Sequence, residues 1–145
     1  MNTDEERLRG KVAEYCALYH VDPPFDLSEL YDLVLDWKVN KEFPFARERG
    51  CYVFYSEKYE MLYIGKASQR NSLGSRIASY FRWDLCHTII EPRHSGWTSA
   101  PRYVQTIRTH KSFEAPSLEE FLIIELDPVD NTSGLPRRRS VVTQI

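Results

Sequence analysis

Three tyrosines, two cations and one carboxylate are spaced so that together they could handle a phosphodiester. Tyr52 and Tyr63 stand eleven residues apart, each two positions from a glycine, in Gly50-Cys51-Tyr52 and Tyr63-Ile64-Gly65. Lys66 follows the second glycine directly, and Arg76 and Tyr80 lie four residues apart further on. Glu119 comes later, ahead of Pro128 and Asn131. Phenols can relay a proton, a guanidinium can hold a phosphate through two charge-assisted bonds, and a carboxylate can ligate a hard cation. A phenol has a free pKa near ~10 and is a poor base at neutral pH unless nearby cations ease loss of its proton.

The elements that must position these groups can be read locally. Cys51 to Tyr55 and Met61 to Ile64 are short runs with strand character, joined across Ser56 to Tyr59. A four-residue loop predicts a hairpin in which Tyr55 opposes Glu60 and Tyr52 opposes Tyr63. A helix is expected from about Ser72 to Trp83, with Arg76 and Tyr80 on one face beside Leu73 and Ile77. Residues 84–101 read as irregular, punctuated by Pro92, Gly96 and Pro101, and Arg102 to Arg108 alternates as a third strand. Ser117 and Glu120 have the form of a capping box, which predicts a helix from Ser117 to Asp127. Glu119 then shares a stripe with Leu122, Ile123 and Leu126, at the edge of the face expected to meet the core.

The N-terminal third has another texture. Residues 4–20 read as an amphipathic helix with Leu8, Val12, Tyr15 and Tyr19 at helical spacing. Pro23-Pro24 ends it, and a second helix is expected from about Leu27 to Lys38, capped by Asp26 with Glu29. The resulting order, ααββαβα, is an α+β arrangement: a small antiparallel sheet with helices on its faces. Residues 1–48 are read as a helical extension packed on a domain spanning 49–145.

Bulk properties narrow the function. At 145 residues the chain suits one domain, and 42% hydrophobic with 13% aromatic residues suits a packed core. No apolar run approaches the ~18 residues of a membrane span. The odd count of three cysteines, without a C-x-x-C pair, reads as reduced thiols in a cytoplasmic protein. Cys86, His87 and His94 do not have zinc-ligand spacing. Net charge is −2, with 11 acids and 7 bases before Gly50 and 10 acids and 12 bases from there on. Such a balance excludes a strongly basic nucleic-acid coat; the one basic cluster is Arg137-Arg138-Arg139.

Taken in order, Gly50-Cys51-Tyr52, Tyr63-Ile64-Gly65-Lys66-Ala67, Arg76 through Phe81, and Leu118-Glu119 with Leu122-Ile123, Pro128 and Asn131 resemble the motif series of the GIY-YIG nuclease superfamily. The flavour is closest to the N-terminal nuclease domain of UvrC. The likeness spans about residues 49–131. It implies a three-stranded antiparallel sheet flanked by helices, and a metal-dependent DNA endonuclease with one Mg²⁺ or Mn²⁺. On that resemblance Glu119 holds the metal, Arg76 stabilises charge on the scissile phosphate, and Tyr52, Tyr63 and Tyr80 position or deprotonate the attacking water. Lys66, Arg76 and Asn131 are the expected substrate-binding residues, with Asn131 acting mostly as scaffold. The products would carry 5′-phosphate and 3′-hydroxyl ends. Which tyrosine serves as base is left open by the sequence. Cys51 stands where relatives usually have an aliphatic residue, and should face away from Tyr52. The alternative is a catalytically inactive DNA-binding or regulatory module on the same scaffold. A homodimer or a protein partner would engage the N-terminal helices.

Overall fold

Two nearly uninterrupted apolar runs form the centre of the sheet. In the computed structural model, which describes residues 3–83 and 90–132, β3 (Gly50–Ser56) is buried throughout and β4 (Met61–Ala67) almost so. Strands covered on both faces do not alternate with polar residues, and these do not. The chain order around them is α1 (Thr3–Leu18), β1 (Asp26–Leu27), β2 (Tyr31–Asp32) and α2 (Leu35–Lys38) before; α3 (Leu73–Ala78), β5 (Phe81–Trp83), β6 (Ile90–Pro92), β7 (Pro101–Arg108), α4 (Glu114–Leu126) and α5 (Val129–Thr132) after. The fold is α+β. Three long antiparallel strands run β7-β3-β4, and the two-residue β1 and β2 add to the outer side of β7.

The sheet divides two hydrophobic clusters. On one face Leu8, Val12, Tyr15 and Cys16 of α1 and Leu118, Leu122 and Leu126 of α4 pack with Cys51, Val53, Tyr55 and Ile64. On the other, Leu73 and Ile77 of α3 join Tyr52, Phe54, Tyr63, Tyr80 and Phe81. Cys51 and Tyr52 therefore face opposite ways, as expected. Cys16 and Cys51 are free buried thiols, and Cys86 lies outside the described residues.

Four local expectations are corrected. Residues 27–38 do not form one helix. Ser28 N–H and Leu33 N–H donate to the Thr106 and Arg102 carbonyls at 2.9 and 2.8 Å, so this segment spends its backbone groups on β7. The Asp32 carboxylate then caps Val34 and Leu35 at 2.8 and 2.9 Å, leaving only the single turn α2. Tertiary pairing outweighs an amphipathic pattern this short.

The hairpin register also differs. Tyr52 opposes Gly65 and Phe54 opposes Tyr63, with an irregularity between Phe54 and Tyr55 that leaves Tyr55 facing Met61. Ser56 makes the difference: its N–H donates to the Glu60 carbonyl, and its hydroxyl takes the N–H groups of Lys58 and Glu60. Tyr52 and Tyr63 are diagonal neighbours rather than a direct pair.

The helix expected over Ser72 to Trp83 ends at Ala78, because Phe81–Trp83 pairs with Ile90–Pro92 in a second sheet. Its start is as read: Ser72 and Ser75 form a reciprocal capping box. The last long helix begins three residues before Ser117, at Glu114. Ser117 is not its cap; its hydroxyl pairs with that of Tyr15 at 2.7 Å and ties α4 to α1.

Candidate active site

Tyr52 is fully buried, and its ring lies across the backbone of its partner Gly65. A Cβ built on Gly65 would fall 2.3 Å from both the Cζ and the hydroxyl oxygen of Tyr52. The glycine of the second motif is thus the floor on which the tyrosine of the first rests. Gly50 meets the same kind of limit, with φ +154 and a Cβ position 1.8 Å from the Ile107 carbonyl oxygen.

The Tyr52 hydroxyl lies 2.7 Å from that of Tyr80, in a buried hydrogen bond in which either can donate. The two rings meet edge to face at 5.7 Å. Tyr63 approaches Tyr80 at 5.8 Å between centroids. Although α3 ends at Ala78, the Tyr80 N–H still donates to the Ile77 carbonyl. That extra turn keeps Tyr80 on the side of Arg76, whose guanidinium carbon is 6.0 Å from the Tyr80 ring centre. Four of the sequence-selected residues, Tyr52, Tyr63, Arg76 and Tyr80, come together on the α3 face.

Lys66 and Glu119 reach the same end of the β3–β4 pair from the other face. Lys66 opposes Cys51. Glu119 is half-buried between Leu118 and Leu122, which are both fully buried. Burial raises the Cys51 thiol well above its ordinary value; the Glu119 carboxylate adds to that shift, and the Lys66 ammonium works against it. Both charges therefore act at Cys51, next in the chain to Tyr52. β4 is the edge strand of this sheet.

Asn131 is almost fully buried, and both polar atoms of its amide meet β4. Its Oδ1 accepts from the Ile64 N–H at 2.8 Å, and its Nδ2 donates to the Ile64 carbonyl at 3.0 Å. It replaces a missing neighbouring strand at the residue before Gly65. Trp97, which the sequence reading did not select, also borders the tyrosines, and Asp130, likewise not selected, holds the residue after Trp97. The Trp97 ring lies 5.5, 6.1 and 6.2 Å from those of Phe54, Tyr63 and Tyr80. Only the position of Asp130 beside Asn131 could have drawn notice.

Residues 48–132 match the UvrC-like GIY-YIG domain. The chain belongs to the UvrC-like GIY-YIG family. Members of this family are nuclease-type domains acting on DNA, and the α+β fold with its antiparallel sheet is the one the family implies. No curated protein matches the chain. Among the described residues no helix is long and apolar enough to cross a membrane. Nor does any group of three or more His, Cys, Asp or Glu among them form a metal cluster, and Cys86 and His87 lie outside those residues. One half-buried carboxylate fits a hard, hydrated cation better than a dehydrated one. Mg²⁺ keeps several of its waters and takes one or two carboxylates together with substrate oxygens.

Proposed function

We propose that this GIY-YIG protein is a metal-dependent DNA endonuclease that hydrolyses phosphodiesters to 5′-phosphate and 3′-hydroxyl ends. The observation that carries the reading is the buried Tyr52–Tyr80 hydroxyl pair with the Arg76 guanidinium beside it. Two phenols sharing one hydrogen bond differ from two packing tyrosines. If either loses its proton, the other donates to the phenolate that results and stabilises it. Tyr52 or Tyr80 then takes the proton of the attacking water, and Tyr63 orients that water. Arg76 holds the non-bridging oxygens of the scissile phosphate as charge builds there. Lys66 meets the DNA backbone at the neighbouring strand end.

Glu119 would hold Mg²⁺ or Mn²⁺. When bound there, such a cation polarises the phosphate and eases departure of the leaving oxygen. Asn131 serves the site from beneath, by fixing the β4 edge at Ile64.

Plasmid, branched and single-stranded DNA incubated with the protein and Mg²⁺ or Mn²⁺ test the proposal. Cleavage that EDTA abolishes, with end-labelling that reports 5′-phosphates, is the expected result. Binding without cutting in either metal would overturn it and leave a DNA-binding module.

A further inference from the structure

The segment between β6 and β7 crosses the tyrosine cluster and is fastened on both sides of it. At its start, the Arg93 N–H donates to the carbonyl of Tyr80 itself at 2.8 Å, and Arg93 Nε donates to the Phe81 carbonyl at 3.0 Å. At its end, Thr98 is held by Asp130. The Thr98 hydroxyl donates to Asp130 Oδ1 at 2.7 Å, and its N–H is shared between the two carboxylate oxygens at 3.2 and 3.3 Å. Asp130 is 0% exposed. A carboxylate taken wholly out of water needs compensating donors, and here Thr98 supplies them.

Between the two fastenings lie His94, whose ring is 6.0 Å from that of Tyr80, and Trp97, which packs on Phe54, Tyr63 and Tyr80. Among the described residues, the buried Trp97 indole N–H has no hydrogen-bond partner. No polar contact of its own therefore fixes the ring in place. The neighbouring residue does, through Asp130. In turn α5 is held to the sheet by Asn131 on Ile64, so one short helix anchors both the β4 edge and the end of this segment.

We infer that Asp130 and Thr98 form a positioning clamp that presses Trp97 against Tyr63 and Tyr80 and so sets the alignment of the catalytic phenols. Asp130 and Thr98 touch no reacting atom. They act through Trp97, whose ring limits how far Tyr80 can tilt from Tyr52. The inference rests on the nuclease reading, because what it aligns is the proposed proton acceptor.

The test is steady-state DNA cleavage by wild type, Thr98→Val and Thr98→Ser. Valine keeps the shape and removes the hydroxyl; serine restores the hydroxyl without the methyl. The clamp predicts a fall in kcat of about ten- to a hundredfold in Thr98→Val, since displacements near 1 Å cost on that order. KM should stay within twofold and Thr98→Ser should recover most of the rate. A folded Thr98→Val with wild-type kcat, a change confined to KM, or no recovery with serine would each overturn the clamp. If Thr98→Val does not fold, Trp97→Phe and Trp97→Ala replace it. A graded loss of kcat, larger in Ala, supports the clamp, and equal rates in both contradict it. A wild type that cuts no DNA sinks the nuclease reading before any variant is compared, so the two failures are read separately.

Discussion

Tyr52 and Tyr80 come from a strand and from the turn beyond a helix, 28 positions apart, yet their hydroxyls meet at 2.7 Å with Gly65 beneath the first. On the proposed reading, that contact would make the base a pair of residues rather than one. It also explains why the choice between them could not be made on order along the chain: the two hydroxyls share one hydrogen bond in which either can donate.

The pair is measurable as a coupling. Tyr52→Phe and Tyr80→Phe should each lower stability by about 1 kcal/mol, since each removes one partner of a buried hydrogen bond. The double variant should cost less than the sum, because the same bond is lost only once. Urea unfolding of the four proteins gives the answer. Strict additivity would mean that the two hydroxyls do not interact.

Gly65→Ala should harm activity more than stability. The new methyl would occupy the place of the Tyr52 ring, which must swing away and break its bond to Tyr80. Overpacking of this kind costs about 1–3 kcal/mol, so the protein should remain folded in the cold while cleavage falls to near background. Circular dichroism melts run beside cleavage assays would show it; wild-type rates in a folded Gly65→Ala would contradict the placement of Tyr52.

Removing the Asn131 side chain should act on stability first. Asn131→Ala leaves both polar backbone groups of Ile64 without the amide that serves them, at about 1–3 kcal/mol each. Asn131→Asp should be no rescue, because a carboxylate cannot donate to the Ile64 carbonyl. Denaturant midpoints test this, and an unchanged midpoint in Asn131→Ala would rule out the scaffolding role.

Much of this was legible in the sequence, and the misses share a cause. Short-range signals held where the chain itself supplies the partner. A helix starts at Ser72 as read, Leu8, Val12 and Tyr15 line the buried face of α1, and Leu122 and Leu126 line that of α4. They failed where a distant strand competes. Residues 27–38 have a helical apolar pattern, but β7 offers backbone partners that a pattern cannot reveal. Ser117 and Glu120 look like a cap, yet the hydroxyl goes to Tyr15, 102 positions away. The Ser56 hydroxyl takes the N–H groups of Lys58 and Glu60, and the pairing of Tyr52 moves from Tyr63 to Gly65. For the site, the order of motifs was enough to select the four residues that cluster. Asp130 and Trp97 belong to no motif and emerged only from burial and contact.

Acid should reveal the ion pair that fastens β2 to β7. Arg102 grips Asp32 with two bonds, at 2.8 and 2.9 Å. Burial alone would raise the Asp32 carboxyl, but Arg102 and the N–H groups of Leu35 and Val34 outweigh it and hold it below its ordinary 3.8. The folded state therefore binds that proton less readily than the unfolded chain. The contribution is present above about pH 4 and fades as pH falls through the folded value. Asp32→Asn should flatten the stability curve below pH 4, where wild type declines. Parallel curves in urea titrations at stepped pH would show that Asp32 contributes nothing to acid sensitivity.

The central claim is that groups from both faces of the sheet act at one centre. It is tested most directly by single-turnover DNA cleavage in Arg76→Ala, Glu119→Ala and the double variant, in Mg²⁺ and in Mn²⁺. Residues that work as a unit lose most of the rate singly and little more together. The account predicts near-background cleavage in each single variant, with the double no slower than the poorer of the two. Wild-type cleavage by a folded Glu119→Ala, or losses that multiply independently, would contradict a shared centre.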